Sequence, residues 1–95
     1  MVAGLAKISF ILHDCQTLKE KRSIIKRLVE RTRNRFNAAV CESDYLDSPK
    51  QGQIGVVVVS TDWKHANSLL DHIIDFIEKM YLVDITEIKI EPAYT

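Results

Sequence analysis

The spacing of apolar residues alternates along this chain between a period of two and one of about 3.6, in an order that few folds accommodate. From Val2 to Leu12 every second residue is apolar. Ala6, Ile8, Phe10 and Leu12 share one face and Lys7 and Ser9 the other, which is the signature of a half-buried strand. Leu18, Ile25, Leu28, Val29 and Thr32 then recur at helical spacing. Thr17 and Glu20 stand where a capping box needs them, Thr17 accepting from a first-turn N–H while Glu20 reaches back to the cap; Asn34 is the expected exit. "RFNAAVCESDY" alternates again, with Phe36, Ala38 and Val40 against Asn37, Ala39 and Cys41. "LDSPKQGQ" interrupts it with Pro49 and Gly52, and "IGVVVVS" is the β-branched run of an interior strand.

Asp62 is placed to cap a second helix, whose stripe is Ala66, Leu69, Leu70, Ile73, Ile77 and Met80. "VDITEIKIEP" reads as a last strand closed by Pro92. Its apolar parity shifts between Ile85 and Ile88, which predicts a bulge near Thr86. The order β-α-β-β-α-β, with right-handed crossovers, gives an α+β ferredoxin-like domain over residues 1–95: a four-stranded antiparallel sheet with both helices on one face. Strands one and three become central. Glu42, Asp44, Glu87, Lys89, Glu91 and Pro92 fall on the edges, where charge and proline discourage stray pairing.

Composition fits such a domain, at 95 residues, 46% hydrophobic and 27% charged. The opening "MVAGLAKISFILH" lacks a basic start, and Lys7 interrupts its apolar run, unlike a signal peptide. No apolar stretch approaches the roughly 20 residues that span a bilayer. Cys15 and Cys41 have no ligand-like spacing, which suits a reducing compartment. These features point to a cytoplasmic protein without a membrane partner.

The net charge of zero conceals an asymmetry. Residues 17–36 carry eight Lys/Arg against two Glu, a local +6, while the remainder carries five basic and eleven acidic residues, −6. On a helix, Lys19, Arg22, Lys26 and Arg33 gather on a stripe beside the apolar face, with Arg27 and Arg31 on the other flank and Arg35 at the end. Cations so arranged suit a phosphate backbone, because binding releases counterions without requiring a sequence. The competing reading is a solvated face neutralised by Asp62, Asp71, Asp75 and Glu78 of the second helix. Lys21 falls among Leu18, Ile25 and Leu28. It is expected to snorkel to the domain's edge, or else to organise a site at the start of the helix.

Other candidates carry less. The open sheet face would present Lys7, Ser9, Gly55, Val57 and Val59, without the aromatics on which RNA-recognition sheets stack bases. With Leu5, Ile11, Ala39 and Cys41 it is mildly apolar, which suits a homodimer. His65 and His72 are too far apart on their helix to share one ion. His13 near Cys15 lacks a third, orienting group; Cys15 reads as a loop thiol and Cys41 as packing. Trp63 is expected to cover an end of the core. There is no Gly-rich phosphate loop and no carboxylate pair set for acid–base work. Neither an enzyme nor a cofactor is implied.

"TLKEKR" at 17–22, "RFN" at 35–37, Glu42 with Asp44, "IGVVVVSTD" at 54–62 and "HANSLLD" at 65–71 together resemble the YlxP-like family of small bacterial domains of unknown function. The resemblance covers nearly the whole chain. It implies the same ferredoxin-like fold and, because genes of the family tend to lie among translation and ribosome-maturation genes, an association with RNA or the ribosome. The chain departs from the family after the second strand, where "DYLDSPKQG" replaces a segment often like "DHQDLWQRA". It also carries "STD" where the family has "SND". The expectation is therefore a non-enzymatic RNA- or ribosome-associated factor binding through Lys19, Arg22, Lys26, Arg27, Arg31, Arg33 and Arg35. The alternative is a structural or regulatory homo-oligomer, or interaction module, that uses the open sheet face.

Overall fold

The computed structural model describes residues 1–95. Its elements are β1 (Val2–Ile11), α1 (Leu18–Arg35), β2 (Ala39–Asp44), β3 (Gln51–Ser60), α2 (Trp63–Lys79) and β4 (Asp84–Tyr94). The antiparallel sheet has the order β2-β3-β1-β4, so the ferredoxin-like topology expected from the periods is the one adopted. Ala6, Ile8 and Phe10 of β1 and Ile54, Val56 and Val58 of β3 point to one side, where Leu28 of α1 and Leu70, Ile73 and Ile77 of α2 cover them. Phe36 and Phe76 close one end of the helix pair edge to face, their centroids 5.4 Å apart.

The caps form largely as the residues dictate. Thr17 Oγ1 accepts from Glu20 N–H at 3.2 Å, and Asp62 Oδ1 accepts from His65 N–H at 2.8 Å. Glu20 does not close the box on Thr17, however; its carboxylate accepts from Gln16 N–H at 3.1 Å. The helix also runs past Asn34 to Arg35, and Phe36 caps it in extended conformation. The second strand therefore starts only at Ala39. Basic residues in the last turn suit the helix C-terminus, and the Phe36 N–H still donates to the Thr32 carbonyl at 2.9 Å, so the start of "RFN" closes the helix instead of opening the strand.

Two bulges interrupt the ladders. Ser9 faces Glu87 whereas Phe10 faces Ile85, which leaves Thr86 as the extra residue, at the place where the parity shift predicts it. A second bulge, at Ser43, carried no such signal: Glu42 faces Ile54 and Asp44 faces Gln53. Strand β3 also begins earlier than "IGVVVVS" suggests. Gly52 belongs to it rather than to the turn, paired with Phe10; a Cβ there would stand 2.3 Å from Phe10 Cε1, so the ring of Phe10 fills the space a side chain would need. Strand β4 continues through Pro92, opposite Gly4, to Tyr94, as an edge strand allows because the missing N–H can face outward.

Candidate nucleic-acid interface

The seven cations Lys19, Arg22, Lys26, Arg27, Arg31, Arg33 and Arg35 are all exposed. None of them forms an ion pair with an acidic residue of α2. Asp75 is engaged by Lys79 on its own helix at 2.9 Å, and its hydrogen bond and charge raise the Lys79 pKa above the usual lysine value. Arg35 borders the same hollow as Asp75 yet lies over the Phe36 ring, 5.5 Å from the centroid. Lys19, Arg22, Lys26, Arg27 and Arg31 likewise pair with no carboxylate. Arg33 is the one cation of the set with an internal hydrogen bond: its Nη2 donates to the Val40 carbonyl at 2.5 Å. That oxygen belongs to edge strand β2, so the guanidinium occupies an acceptor to which another strand would otherwise add.

Lys21 behaves differently from its neighbours and from expectation. Its side chain is 1% exposed, and it does not snorkel. The ammonium donates to the Tyr45 carbonyl at 2.5 Å and lies 3.3 Å from Glu42 Oε2. A buried ammonium requires such partners. It therefore ties the first turn of α1 to the end of β2. Tyr45, whose carbonyl also accepts from Ser48 N–H at 3.1 Å, holds a left-handed backbone with φ 59°.

His13 gains the third group that its sequence neighbourhood lacked. Its Nε2 lies 2.6 Å from Asp84 Oδ2 at the start of β4, and both border a hollow with Cys15 and Arg27. Cys15 is buried, and its thiol donates to the Thr17 carbonyl at 3.4 Å, an ordinary packed role. Cys41 lies on the open sheet face, where the alternation against Val40 places it, and is exposed rather than packed. His65 Nδ1 lies 2.7 Å from Ser60 Oγ, and Trp63 packs partly buried against the core. No three His, Cys, Asp or Glu side chains converge as a metal site. No helix is long and apolar enough to cross a membrane.

The open face is a grid set by the register. One row is Cys41, Gly55, Lys7 and Lys89; the row on one side is Ala39, Val57, Leu5 and Glu91, and on the other Gln53, Ser9 and Glu87 follow Ser43 and Asp44. None of its strand positions is aromatic, as the sequence implied. Tyr45, from the loop that follows β2, supplies an aromatic at the polar end; the bulge at Ser43 re-aims the strand so that Asp44 faces Gln53.

Comparison with known proteins agrees with this architecture. The designed protein Foldit4 superposes with a TM-score of 0.54 at 13% identity, covering 100% of this chain and 99% of that one. The structural-genomics protein YJCS superposes with a TM-score of 0.60 at 14% identity, covering 99% and 100%. Both likenesses concern the fold alone. In sequence, the uncharacterized protein YlxP of Bacillus subtilis (strain 168) is 30% identical over 88 residues, 93% of this chain and 96% of that protein. The model of the family "Protein of unknown function (DUF503)" matches residues 3–90. With the fold, the "TLKEKR" helix start and this match in agreement, the chain belongs to the DUF503 family.

Proposed function

We propose that this protein is a non-catalytic RNA- or ribosome-associated factor that binds polyanion along the outer surface of α1. The observation that carries the reading is that Lys19, Arg22, Lys26, Arg27, Arg31 and Arg35 are exposed and none is paired with a carboxylate of its own fold. Such a surface loses little internal stabilisation when phosphates arrive, and each phosphate neutralised releases counterions.

A titration against ribosomal RNA fragments at several salt concentrations tests it. Binding should weaken steeply with salt, with a log–log slope of roughly −0.7 per phosphate contact on single strands. Arg22→Glu combined with Lys26→Glu should lower both the affinity and the slope. Affinity indifferent to salt and to this double reversal would refute the reading.

A second reading rests on Leu5 and Val59, which are 39% and 60% exposed on the open sheet face beside Val57 and Ala39. Apolar side chains gathered on an uncovered sheet suit self-association. Sedimentation of the protein and of Val57→Glu separates the two readings: a dimer that the variant dissolves supports this second one, and a monomer in both cases removes it.

A further inference from the structure

We propose that the polar end of the open sheet face is a nucleotide-binding site, with Lys7 receiving the phosphate and Tyr45 lying against the base. The helices cover the opposite side of the sheet, so this site goes beyond the α1 reading and stands independently of it.

A cavity of about 250 Å³ opens there between Lys7, Ser9, Gln53 and Tyr45, with Asp44, Glu87 and Lys89 at its walls. The backbone of Tyr45 is held by three hydrogen bonds. Its N–H donates to Asp44 Oδ1 at 2.7 Å, and its carbonyl accepts from Ser48 N–H and from the buried Lys21. A non-glycine residue at φ 59° is strained, and such conformations persist where the surroundings over-determine them, often at ligand sites. The floor is ordered too. Ser43 Oγ donates to Gln53 Oε1 at 2.8 Å, and Gln53 Nε2 donates to Ser9 Oγ at 3.1 Å. Gln53 is thereby fixed in orientation, and the Ser9 hydroxyl proton remains available to a ligand.

The cations point the same way. Lys7 and Lys89 occupy facing positions on β1 and β4, where like charges disfavour pairing. Glu87 lies 3.4 Å from Lys89; Lys7 has no carboxylate partner. On its other side Lys7 faces Gly55. A Cβ added there would meet nothing nearer than Ser43 Cβ at 3.6 Å and Cys41 Sγ at 3.8 Å, so the packing of this chain does not require a glycine. Glycine inside a strand often marks the close approach of a ligand. Here it leaves a second hollow, which shares Lys7 and Lys89 with the first.

The chemistry on offer is an ammonium for an anion, carboxylates of Asp44 and Glu87 that accept from hydroxyls, and an aromatic ring for a planar group. Carboxylates serve ribose hydroxyls in this way elsewhere, and aromatic rings hold bases by stacking. A nucleotide uses all three, inorganic phosphate the first alone, and a nucleoside the last two. The nucleotide is either free or part of a single-stranded RNA.

Calorimetric titration of the full chain with each ribonucleoside 5′-monophosphate, inorganic phosphate, adenosine and a single-stranded hexanucleotide tests the proposal. At least one monophosphate or the hexanucleotide should bind ten-fold or more tightly than phosphate or adenosine. Lys7→Glu and Tyr45→Gly should each weaken that binding about ten-fold or more, whereas Tyr45→Phe retains it. Glycine accepts the left-handed backbone, so Tyr45→Gly keeps the fold, which thermal melting verifies. A hexanucleotide that outcompetes the monophosphates identifies an RNA strand as the source; preference for a monophosphate identifies the free nucleotide. Absence of binding, or binding indifferent to either Lys7→Glu or Tyr45→Gly, overturns the proposal even where RNA still binds through α1.

Discussion

The ammonium of Lys21 lies 3.3 Å from the carboxylate of Glu42 with its side chain only 1% exposed, so a charge from the first turn of α1 is held inside the fold by edge strand β2. Removing the ammonium strands Glu42, although that carboxylate, 23% exposed, can partly rehydrate. Lys21→Met, which keeps the packed stem, is expected to cost about 1–3 kcal/mol. Lys21→Ala, which also leaves a cavity, should cost about 3–5 kcal/mol. Urea unfolding measures both. Combining Lys21→Met with Glu42→Gln should cost less than the sum of the single changes, since the two side chains share one interaction. Hydrogen exchange across residues 45–50 should rise in Lys21→Met.

Gly52 and Gly55, three apart on β3, should respond oppositely to alanine. A Cβ at Gly52 would overlap Phe10, at 2.3 Å from Cε1 and 2.8 Å from Cζ, and Phe10 is 1% exposed with little room to yield. Gly52→Ala is expected to destabilise by about 1–3 kcal/mol. Gly55→Ala meets only ordinary contacts and removes a flexible residue from a strand, so it should be neutral or stabilise by about 0.5–1 kcal/mol. Thermal melts of the two variants decide the matter.

Tyr81, just after α2, has φ 54° and is 87% exposed. Its ring therefore compensates little for the cost of a left-handed backbone. Tyr81→Gly should raise stability by up to about 1 kcal/mol, read as a higher denaturation midpoint with an unchanged m-value.

The two N-caps should contribute similarly. Thr17→Ala removes the acceptor for Glu20 N–H and Asp62→Ala the acceptor for His65 N–H. Each is expected to cost about 1 kcal/mol by chemical unfolding.

The cations of α1 provide a contrast. Arg22→Ala and Lys26→Ala should change unfolding free energy by less than about 0.5 kcal/mol, having no internal partner to lose. Arg33→Ala should cost about 1 kcal/mol, because the Val40 carbonyl loses its donor. A loss above 1 kcal/mol at Arg22 or Lys26 would show a structural role for them.

Elements and their order were legible in this sequence because they depend on local rules. Alternation placed Ile8 and Phe10 inward, Thr17 and Asp62 marked the helix starts, and the parity break at Ile85–Ile88 located the bulge at Thr86. The charge of α1 was equally plain, since clustering of cations is a property of the chain. Three matters depended on packing between segments distant in sequence. Lys21 looked like a snorkelling lysine until Glu42 and Tyr45, more than twenty residues on, supplied acceptors inside the fold. Gly52 looked like a turn glycine until the Phe10 ring occupied its side-chain space. The polar end of the open face formed only when the Ser43 bulge and the Lys21 bond brought Tyr45 beside Lys7. Periodicity and caps act over a few residues and can be read in one dimension; the pairing of a buried charge and the aim of a loop residue are set by what the tertiary fold places opposite them.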